Sequence, residues 1–577
     1  MITQESQITI SQPRDTIRVT MDDGLVLEGP VGTDIEAFLS AAAQAAPERY
    51  PHPVMGGVLD GRLRELSYRI VGDAALAPVS LASSDGGRIY RRSLVLLLAI
   101  AIDELWPGRK VAVSYAVPDG GFYCKMLDSS PLTKEDMAAL YLHMRAIVQD
   151  NVPIAKRIVP LEQAVALFEA RGDTDKVRLL EQRTRGDLTI YTLRGRDDYY
   201  YGYMVPTTGS LQYFRLLAAP PGFILQYPRQ ENPTHLSDML PYDKLTHVFR
   251  EADDWLRRMN VEDVGRFNRV VRENRVHELI LVAEALHEQR VAFIAREICD
   301  KHKRQNTRLV LIAGPSSSGK TTFSKRLAIQ LLAHGLRPFT IELDNYFVDR
   351  DLTPKDENGD YDFESLKAVN LELFNQNLLE LVSGRPTTLP RFNFISGKSE
   401  TGSSVQLEHN QIIIVEGIHG LNPALVADIP PEIVHRVYVS ALTQLNIDAH
   451  NRVPTTDVRL LRRIVRDARL RGYTVTDTLL RWQSVRRGEK QNIFPFQENA
   501  DSMFNSALVY ELAALRPLVE PLLLQTRPNT PTYIEANRLL SFLNWVQPFT
   551  PEQHAMIPDT SLLREFIGGS TLADYHP

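Results

Sequence analysis

The sequence predicts a multidomain protein of mixed α/β and α+β class, with a parallel sheet flanked by helices in its C-terminal half. Three observations support this prediction. The chain has 577 residues, and at roughly 150 residues per domain this length corresponds to about four modules. An early segment alternates apolar and polar residues around a turn, as a β-hairpin does. A later segment, LVLIAGPSSSGKTTFSKRL, places an apolar strand directly before a glycine-rich loop and a helix.

Composition limits the classes of partner. The formal net charge is only -6, so the overall balance indicates neither a nucleic-acid coat nor a polybasic membrane anchor. The longest apolar run, LVLLLAIAI, is too short to span a bilayer and predicts a buried helix. The N-terminus lacks an apolar signal core, and Cys124 and Cys299 cannot staple a chain of this size. We therefore expect a cytoplasmic protein without a membrane partner, and the sequence leaves open whether it forms homo-oligomers.

A small β-rich module is predicted at residues 15–82, after a flexible tail at residues 1–14. IRVTMDDGLVLEG alternates around its Asp-Gly pair, which predicts a hairpin. GTDIEAFLSAAAQ then has helical spacing after a Thr33 or Asp34 cap, and PVMGGVLDGRLRELSYRI returns to short strands. This order of hairpin, helix and strands resembles the TGS module, a ubiquitin-like β-grasp fold at the front of threonyl-tRNA synthetases.

The next segment, residues 83–226, resembles the second additional domain of the same synthetases, an α+β module. The resemblance rests on RRSLVLLLAIAIDELWP, GGFYCKM and YYGYMVPTTGSLQYFRL, which occur in the order of that domain. In its editing form, two histidines on a helix and a later cysteine and histidine form a metal-binding or hydrolytic site. The matching positions here are Arg92, Leu96, Tyr200 and Met204, which are not zinc ligands. The resemblance implies a module that has kept the fold and lost the editing chemistry, and that binds RNA, a small molecule or the C-terminal domain.

Residues 227–306 are predicted to form a helical connector. DKLTHVFREADDWLRRM and HELILVAEALHEQRVAFIAREI place apolar residues at three- and four-residue intervals. His277 and His287 lie on this connector, but their spacing is not that of metal ligands, so surface or packing roles are favoured. The basic, polar tract KHKRQNTR marks the boundary with a C-terminal domain at residues 307–577.

The C-terminal domain opens with a phosphate-binding loop. GPSSSGKT follows the apolar LVLIA at once and fits G-x-x-x-x-G-K-[ST] at every fixed position. Lys320 would supply a positive charge to the β- and γ-phosphate oxygens, and the Thr321 hydroxyl can bind Mg²⁺. TTFSKRLAIQLLAHG is the predicted helix whose N-terminal end faces the anion, ending near Gly335. The predicted nucleotide-binding residues are Gly314, Pro315, Ser316, Ser317, Ser318, Gly319, Lys320, Thr321 and Thr322.

Two further apolar strands are predicted to bring carboxylates to this loop. RPFTIELDNYF forms a strand that ends at Asp344, and QIIIVEG forms one that ends at Glu416. The carboxyl ends of strands are where open α/β sheets place their chemistry. Asp344 is a candidate general base for an acceptor hydroxyl, or a metal ligand through water, and Glu416 is a candidate Walker-B-type acid. A capping role is the alternative for either acid.

A helix with four arginines follows. TTDVRLLRRIVRDARLRG places Arg459, Arg462, Arg463 and Arg466 on one helical face. Like charges so arranged repel one another unless an anionic group lies beside them. One account is a solvated face paired with neighbouring aspartates. We favour the other, a lid that closes over the γ-phosphate, because arginines neutralise the charge that spreads over its oxygens.

Together these motifs resemble those of the uridine kinase and phosphoribulokinase family. In order, the chain contains GPSSSGKTT, LDNYF, YDFESL, LPRFNF, IIIVEGIHGL, RRIVRDARLRG and FPFQENADSMFNSAL, over about residues 307–545. The resemblance implies a P-loop kinase fold with ATP and Mg²⁺ as cofactors and Asp344 as the base. It also implies that Thr321, Glu416 and Asp344 bind the metal ion. The implied lid residues are Arg466, Arg469 and Arg471.

The same resemblance implies an acceptor pocket. Asp362 would bind acceptor hydroxyls. The pocket would further include Tyr346, Arg391, Phe392 and Phe394.

Two positions depart from the uridine kinase pattern. The position of a base-reading histidine holds Gly397 in RFNFISGKSE, followed by Lys398, and a lid glutamine corresponds to Arg481. A site that hydrogen-bonds a group discriminates through those partners, so their loss weakens the case for uracil. Lys398 and Arg481 suit an acceptor with an anionic or polyhydroxyl part.

The order of all modules resembles the long bacterial nucleoside kinases described as uridine kinase-like. We therefore expect ATP-dependent phosphoryl transfer to a hydroxyl of a small molecule, with a nucleoside as the favoured acceptor. A kinase for a sugar, a sugar phosphate or a polyol is one alternative. A nucleotide-dependent switch whose front half binds RNA or a regulator is the other.

Overall fold

The computed structural model describes residues 14–128, 130–355, 359, 361–393, 395–443 and 445–576. The chain divides into two compact units. The first unit contains the residues up to Leu167, with Thr184–Met239 and Arg527–Ile534, and the second contains Phe168–Arg183, Leu240–Thr526 and the residues from Glu535 onward. This division is coarser than the five segments predicted from the sequence, whose boundaries stay a prediction.

The first unit begins with a five-stranded sheet of order β2-β1-β5-β3-β4. The predicted hairpin is confirmed, because β1 and β2 pair antiparallel. β5 joins the sheet parallel to β1. α1 crosses one face of the sheet after Asp34, whose side chain accepts from Ala37 N. The elements are β1 (Thr16–Met21), β2 (Val26–Pro30), α1 (Ile35–Ala45), β3 (Val54–Leu59), β4 (Arg62–Arg64) and β5 (Ala74–Ser80).

The rest of this unit contains a long buried helix and two antiparallel sheets. The apolar run at residues 94–102 is buried along its whole length in α2, as predicted. The sheets have the orders β11-β12-β7-β6 and β10-β9-β8. The elements are α2 (Ser84–Leu105), β6 (Val111–Val117), β7 (Gly121–Met126), α3 (Lys134–Gln149), β8 (Ala155–Pro160), α4 (Leu161–Ala170, ending within residues of the second unit), β9 (Asp187–Leu193), β10 (Arg196–Asp198), β11 (Arg215–Ala219) and β12 (Gly222–Gln226).

The second unit begins with four helices, three of them in the predicted connector. Apolar side chains on α6 and α8 are buried at the three- and four-residue spacing seen in the sequence. The elements are α5 (Thr174–Leu180), α6 (Asp243–Arg258), α7 (Val264–Arg272) and α8 (Val276–Gln305).

A five-stranded parallel sheet of order β14-β17-β13-β18-β19 follows, with helices around it and an antiparallel β15–β16 hairpin beside it. All five residues of the central strand β13 are buried, as a strand covered on both faces requires. The elements are β13 (Leu309–Ala313), α9 (Lys320–Ala333), β14 (Arg337–Glu342), α10 (Leu371–Val382), β15 (Thr387–Asn393), β16 (Lys398–Val405), β17 (Gln411–Glu416), β18 (Val434–Ser440), α11 (Thr455–Arg466), α12 (Val475–Asn492), β19 (Ser502–Asn505), α13 (Glu511–Leu523), α14 (Pro531–Leu543, whose first residues belong to the first unit), α15 (Pro551–Ala555) and α16 (Arg564–Ile567).

These sheets confirm the predicted fold class, a multidomain α/β and α+β chain with a parallel sheet flanked by helices in its C-terminal part. One boundary differs from the prediction. β14 ends at Glu342, and Asp344 lies in a short 3₁₀ turn, Leu343–Tyr346, that follows the strand. Within the described residues, no helix is both long and apolar enough to cross a membrane.

Candidate active site

The glycine-rich loop joins β13 to α9 and takes a left-handed backbone conformation twice, at Ser317 (φ +57°) and at Gly319 (φ +87°). A Cβ atom at Gly319 would collide with the side chain of Leu562. This position therefore needs glycine both for its conformation and for its packing. α9 begins at Lys320, so the loop N–H groups and the positive end of the helix dipole lie together, as a phosphate site requires.

Thr321, Glu416 and Asp344 offer an oxygen donor set beside this loop. Thr321 Oγ1 donates a hydrogen bond to Glu416 Oε1 at 2.9 Å. Burial raises the pKa of the Glu416 carboxyl, and the Asp344 charge raises it further, against the nearby Lys320 ammonium. Hydroxyl and carboxylate oxygens are the ligands that Mg²⁺ prefers. These three residues therefore fit a magnesium ion, whose charge would also offset the repulsion between the two carboxylates.

Asp344 is solvent-accessible, although neighbouring protein groups surround its carboxyl. Partial desolvation raises the pKa of its carboxyl, and the neighbouring Glu342 raises it further, while Lys320 lowers it. The Lys320 ammonium donates to Pro315 O of its own loop at 3.3 Å. The structure thus brings Lys320, Asp344 and Glu416 into one electrostatic cluster at the ends of β14 and β17.

Two glutamates that the sequence reasoning missed complete the cluster. Ser316 N donates to Glu489 Oε1 at 3.0 Å. Burial, and then the charge of Glu489, raise the pKa of Glu364 to about 7. Asn492 on α12 donates to Glu364 O at 2.7 Å, which fastens the segment after Asp362 to that helix. Glu364 stands in YDFESL two residues after the predicted Asp362, and this proximity was the available signal. No sequence signal pointed to Glu489, because it lies far along the chain from the other residues of the cluster.

The arginine face of α11 packs against the loop. Arg459 is buried, donates to Ser316 O at 3.0 Å and pairs with Glu489, with Nη2 at 2.8 Å from Oε2. Arg462 is also buried and pairs with Glu511 at 2.6 Å. Neither is on a solvated face, so that alternative is wrong for these two. Arg459 contacts the loop directly and through Glu489, whereas Arg462 approaches Ser317 O at 3.5 Å. The sequence pattern revealed neither carboxylate partner.

The other arginines of this helix lie nearer to solvent. Arg463 Nη1 donates to Ser316 Oγ at 2.8 Å. α11 continues into a single π-helical turn, Asp467–Arg471, and the buried Asp467 pairs with Arg466 at 3.0 Å and with Arg471 at 3.7 Å. Arg469 is solvent-exposed, and its guanidinium lies directly against Gly568. The three predicted lid arginines therefore gather around one buried carboxylate and one glycine of the C-terminal segment.

The predicted acceptor residues are only partly brought together. Tyr346 is buried and its hydroxyl accepts from Asn377 Nδ2 at 3.2 Å. Phe392 is buried on β15, and its backbone N–H donates to Asn345 Oδ1 at 3.3 Å. Asp362 Oδ1 accepts from Glu364 N at 3.1 Å, on the Glu489 side of the site.

The remaining acceptor residues lie on the hairpin and on α12. Arg391 and Lys398 are exposed on β15 and β16. Arg481 lies 4.4 Å from the ring centroid of Tyr473, where the structure assigns it a cation–π contact. Phe394 falls outside the described residues.

The position of the base-reading histidine is filled by another part of the chain. Gly397 has φ +69°, and a Cβ atom there would lie within 2.9 Å of the Arg350 side chain. Arg350 N also donates to Gly397 O at 2.8 Å. The Arg350 side chain therefore occupies the space that a side chain at position 397 would need.

A C-terminal segment, residues 558–573, closes over the start of α9. Glu565 Oε2 accepts from Thr322 N at 3.2 Å and from Thr322 Oγ1 at 2.8 Å. Lys325 Nζ donates to Leu572 O and Ala573 O at 2.7 and 2.8 Å. Sequence reasoning missed this segment, because nothing in its spacing connects it to a loop more than two hundred residues earlier.

The positions that match the synthetase editing residues lie in the first unit. Arg92 is half-buried, and its Nη1 donates to Tyr203 O at 2.8 Å. Glu65 accepts from Tyr191 and, at 3.0 Å, from Lys156. No group of three or more His, Cys, Asp or Glu side chains in the described part of the chain could hold a metal ion. A guanidinium and an internal hydrogen-bond network thus occupy this region.

Comparison with known proteins finds similarity for both the C-terminal and the N-terminal part of the chain. Residues 309–512 match the model of the Phosphoribulokinase / Uridine kinase family. The N-terminal region resembles threonine–tRNA ligases, and the enzyme from Methylococcus capsulatus is 32% identical over 200 residues, which are 34% of this chain and 31% of that protein. The chain thus spans about a third of the length of the curated relatives it matches.

Solved structures with a similar fold include two kinases. D-glycerate 3-kinase from Cryptococcus neoformans has 17% identity and a TM-score of 0.28, covering 37% of this chain and 89% of that one. A possible uridine kinase from Bacillus stearothermophilus has 17% identity and a TM-score of 0.25, covering 37% and 97%. At these TM-scores the likeness carries no argument for an acceptor.

Proposed function

We propose that this protein is a cytoplasmic, Mg²⁺-dependent kinase that transfers the γ-phosphate of ATP to a hydroxyl of a small molecule, with a nucleoside as the favoured acceptor. One observation carries the proposal. A complete phosphate-binding loop stands beside the hydrogen-bonded pair Thr321–Glu416, at 2.9 Å, and shares its electrostatic environment with Lys320 and Asp344. The family match over residues 309–512 supports it.

Each residue of the cluster has a separate task. The loop N–H groups bind the phosphates, and Lys320 leaves Pro315 O to pair with the β- and γ-phosphate oxygens. Thr321 and Glu416 would hold the metal, and Asp344 would lie beside it. When bound, Mg²⁺ would reduce the negative charge that opposes attack. Arg463, already on Ser316, borders the phosphates on the α11 side.

Asp344 takes the proton of the acceptor hydroxyl. Its carboxyl has a raised pKa because of desolvation and Glu342, and a raised pKa makes a carboxylate a better proton acceptor. Its place just after β14, at the same sheet edge as Glu416, lets one group serve the acceptor while the other serves the donor.

A second acceptor class is favoured by one observation. Arg350 fills the place at Gly397 where a base-reading side chain would stand, and Arg391 and Lys398 are exposed nearby on the hairpin. Cationic groups suit anionic or polyhydroxyl acceptors better than a pyrimidine edge. A sugar, sugar phosphate or polyol is therefore the second candidate.

A panel of nucleosides, sugars, sugar phosphates and polyols tests these proposals on the full chain. We expect acceptor-dependent ADP formation with Mg²⁺, and none for Lys320→Ala. Identification of the phosphorylated product by ³¹P NMR separates the two acceptor classes. ATP binding without any acceptor-dependent turnover would contradict the kinase and favour a nucleotide-dependent switch.

For the N-terminal unit we propose RNA binding, supported by its resemblance to threonine–tRNA ligases. Titration of bulk tRNA against the full chain at low and physiological salt tests it. Affinity should fall as salt rises, since phosphate contacts release counterions. Absence of any salt-sensitive binding would contradict it.

A further inference from the structure

The second unit contains a cavity whose lining includes none of the residues assigned to phosphoryl transfer. Its volume is about 440 Å³, within the range of roughly 300–1,000 Å³ that is typical of small-molecule sites. Helices α6 and α8 form two walls, and the segment from β19 to the start of α13 forms a third. Apolar side chains that line it include Trp255, Leu256, Met259, Leu286 and Phe293.

Most polar groups in the wall are already satisfied. Glu511 pairs with Arg462 at 2.6 Å. His287 Nε2 donates to Ala507 O at 3.2 Å, and burial lowers the pKa of His287 to about 3. Its Nδ1 is buried without a hydrogen-bond partner among the described residues. These groups do not call for a charged ligand.

Arg290 is the exception. Its Nε and Nη2 both donate to Met503 O, at 3.3 and 3.2 Å, and its guanidinium lies 5.1 Å from the ring centroid of Phe293. Among the described residues, Arg290 makes no ion pair with a carboxylate. A guanidinium that makes only a carbonyl and an aromatic contact retains the capacity for a bidentate carboxylate. Besides Glu511, the cavity is lined by one further carboxylate side chain among the described residues, Glu251, which is solvent-exposed on α6.

We propose that this cavity binds a small amphiphilic carboxylate. The carboxylate pairs with Arg290, and the apolar part packs against Trp255, Leu256 and Leu286. This site is separate from the acceptor pocket of the proposed kinase and does not depend on its activity.

The wall of the cavity is also part of the support of the nucleotide loop. Glu511 holds Arg462, which donates to Ser506 O at 2.7 Å and approaches Ser317 O at 3.5 Å. Phe504 lies 4.7 Å from Phe323 on α9, between ring centroids. Occupation of the cavity would therefore alter the affinity of the loop for nucleotide.

Octanoate and octan-1-ol are matched probes, since they share an alkyl chain and differ in charge. Isothermal titration of the full chain should show octanoate binding more tightly than octan-1-ol by about tenfold or more, the equivalent of one good charge-assisted contact. Arg290→Gln should reduce this ratio to near one without abolishing octan-1-ol binding. Equal binding of both probes to the wild type, or an unchanged ratio in Arg290→Gln, would overturn the proposal.

Two tryptophan variants on α8 locate the binding. Leu286→Trp should fill the cavity and weaken both probes, whereas Leu281→Trp lies on an exposed part of the same helix, with 51% exposure, and should leave both unchanged. Thermal unfolding without ligand establishes that each variant is folded. Equal loss in both variants, or full binding in a folded Leu286→Trp, would contradict the assignment.

The effect of cavity occupation on nucleotide affinity can be measured without catalytic turnover. The dissociation constant of a fluorescent ATP analogue, measured with and without saturating octanoate, should change in the wild type and stay constant in Leu286→Trp. An unchanged constant in the wild type would remove the link to the nucleotide loop.

Discussion

Asp344 and Glu416 share one electrostatic environment with Lys320, yet their surroundings differ. Glu416 is hydrogen-bonded to Thr321, and its pKa is raised chiefly by burial. Asp344 faces the cleft and has no hydrogen bond to a loop residue among those described. A carboxylate that is enclosed and bonded suits a metal, whereas an accessible one suits proton transfer. Single substitutions should therefore separate the two tasks.

Asp344→Asn should lower kcat by about 10²–10⁴, the usual contribution of a general base, and should leave ATP affinity nearly unchanged. Steady-state turnover and titration with a fluorescent nucleotide measure the two effects. Asp351→Asn, an exposed neighbour in the chain, is the matched control and should behave as wild type. Retained turnover in Asp344→Asn would remove it from the role of base.

Glu364 should make stability depend on pH. Burial and then Glu489 raise its folded pKa to about 7, above the unfolded value. Between these values the folded state binds more protons than the unfolded state, so the free energy of unfolding falls as pH rises from about 4.5 to about 7 and stays lower above.

Glu364→Gln should therefore stabilise the chain at pH 8 by about 1 kcal/mol relative to its effect at pH 5. Thermal unfolding at both pH values provides the measurement. Glu432→Gln, an exposed carboxyl in the same unit, should show no such difference. The same shift in both variants would mean that the effect is not local to Glu364.

At the scale of elements, α11 supports the loop through buried ion pairs. Arg459 joins the carbonyl of Ser316 to the Glu489 carboxylate of α12, and the same carboxylate accepts from Ser316 N. Both the N–H and the C=O of Ser316 are thus hydrogen-bonded to this ion pair. Removal of the arginine would leave a buried carboxylate unpaired.

Arg459→Met should lower the free energy of unfolding by about 3–5 kcal/mol, as breaking a buried pair does. Arg337→Met, which breaks the exposed pair with Glu408 at 3.0 Å, should cost at most about 1 kcal/mol. Urea unfolding at pH 7.5 gives both values. A double variant, Arg459→Met with Glu489→Gln, should recover part of the lost stability. Equal losses in Arg459→Met and Arg337→Met would contradict the distinction between buried and exposed ion pairs.

The C-terminal segment occupies a donor that the proposed phosphate site would use. Glu565 accepts from Thr322 N and Oγ1 in the first turn of α9, where the positive end of the helix favours an anion. Nucleotide binding must share or displace this carboxylate. Its charge also raises the pKa of Glu416, after the effects of burial and Lys320, so it adds negative charge to the site.

Glu565→Gln should therefore tighten binding of ATP without Mg²⁺ by several-fold, because a repulsive charge within the site is removed. Titration of a fluorescent ATP analogue in EDTA measures this. Glu552→Gln, on exposed α15 of the same C-terminal region, should leave the affinity unchanged. Weaker binding in Glu565→Gln would show that the carboxylate supports the nucleotide site instead of opposing it.

At the scale of the whole molecule, two units of different resemblance share one chain. Metal chemistry is expected in only one of them. In the first unit Arg92, which the sequence comparison matched to an editing-site histidine, is hydrogen-bonded to Tyr203 O. In the second unit Thr321, Glu416 and Asp344 form an oxygen donor set. The protein should accordingly require Mg²⁺ for turnover and should need no structural zinc.

Treatment with EDTA should abolish turnover and leave the thermal unfolding temperature within about 1 °C, since no structural metal is lost. Mg²⁺ should restore activity fully. A large fall in unfolding temperature that Zn²⁺ alone reverses would contradict the loss of the editing metal site.

The sequence by itself determined the elements with strong local signals. β13, α9, β17 and the β1–β2 hairpin lie where strand patterning, the glycine-rich motif and turn residues placed them, because each signal acts within one short segment. The loop residues, Asp344 and Glu416 could be proposed from the sequence for the same reason, because each adjoins a recognisable strand.

Only the tertiary structure decided which charges meet. Glu489 and Glu511 pair with arginines 30 and 49 residues away, and Glu565 reaches Thr322 across 243 residues. The four arginines of α11 looked alike in sequence, yet two are buried in ion pairs and two lie nearer to solvent. Helical spacing assigns residues to a face, but the burial and the partner of each charge depend on elements that are close only in the folded chain.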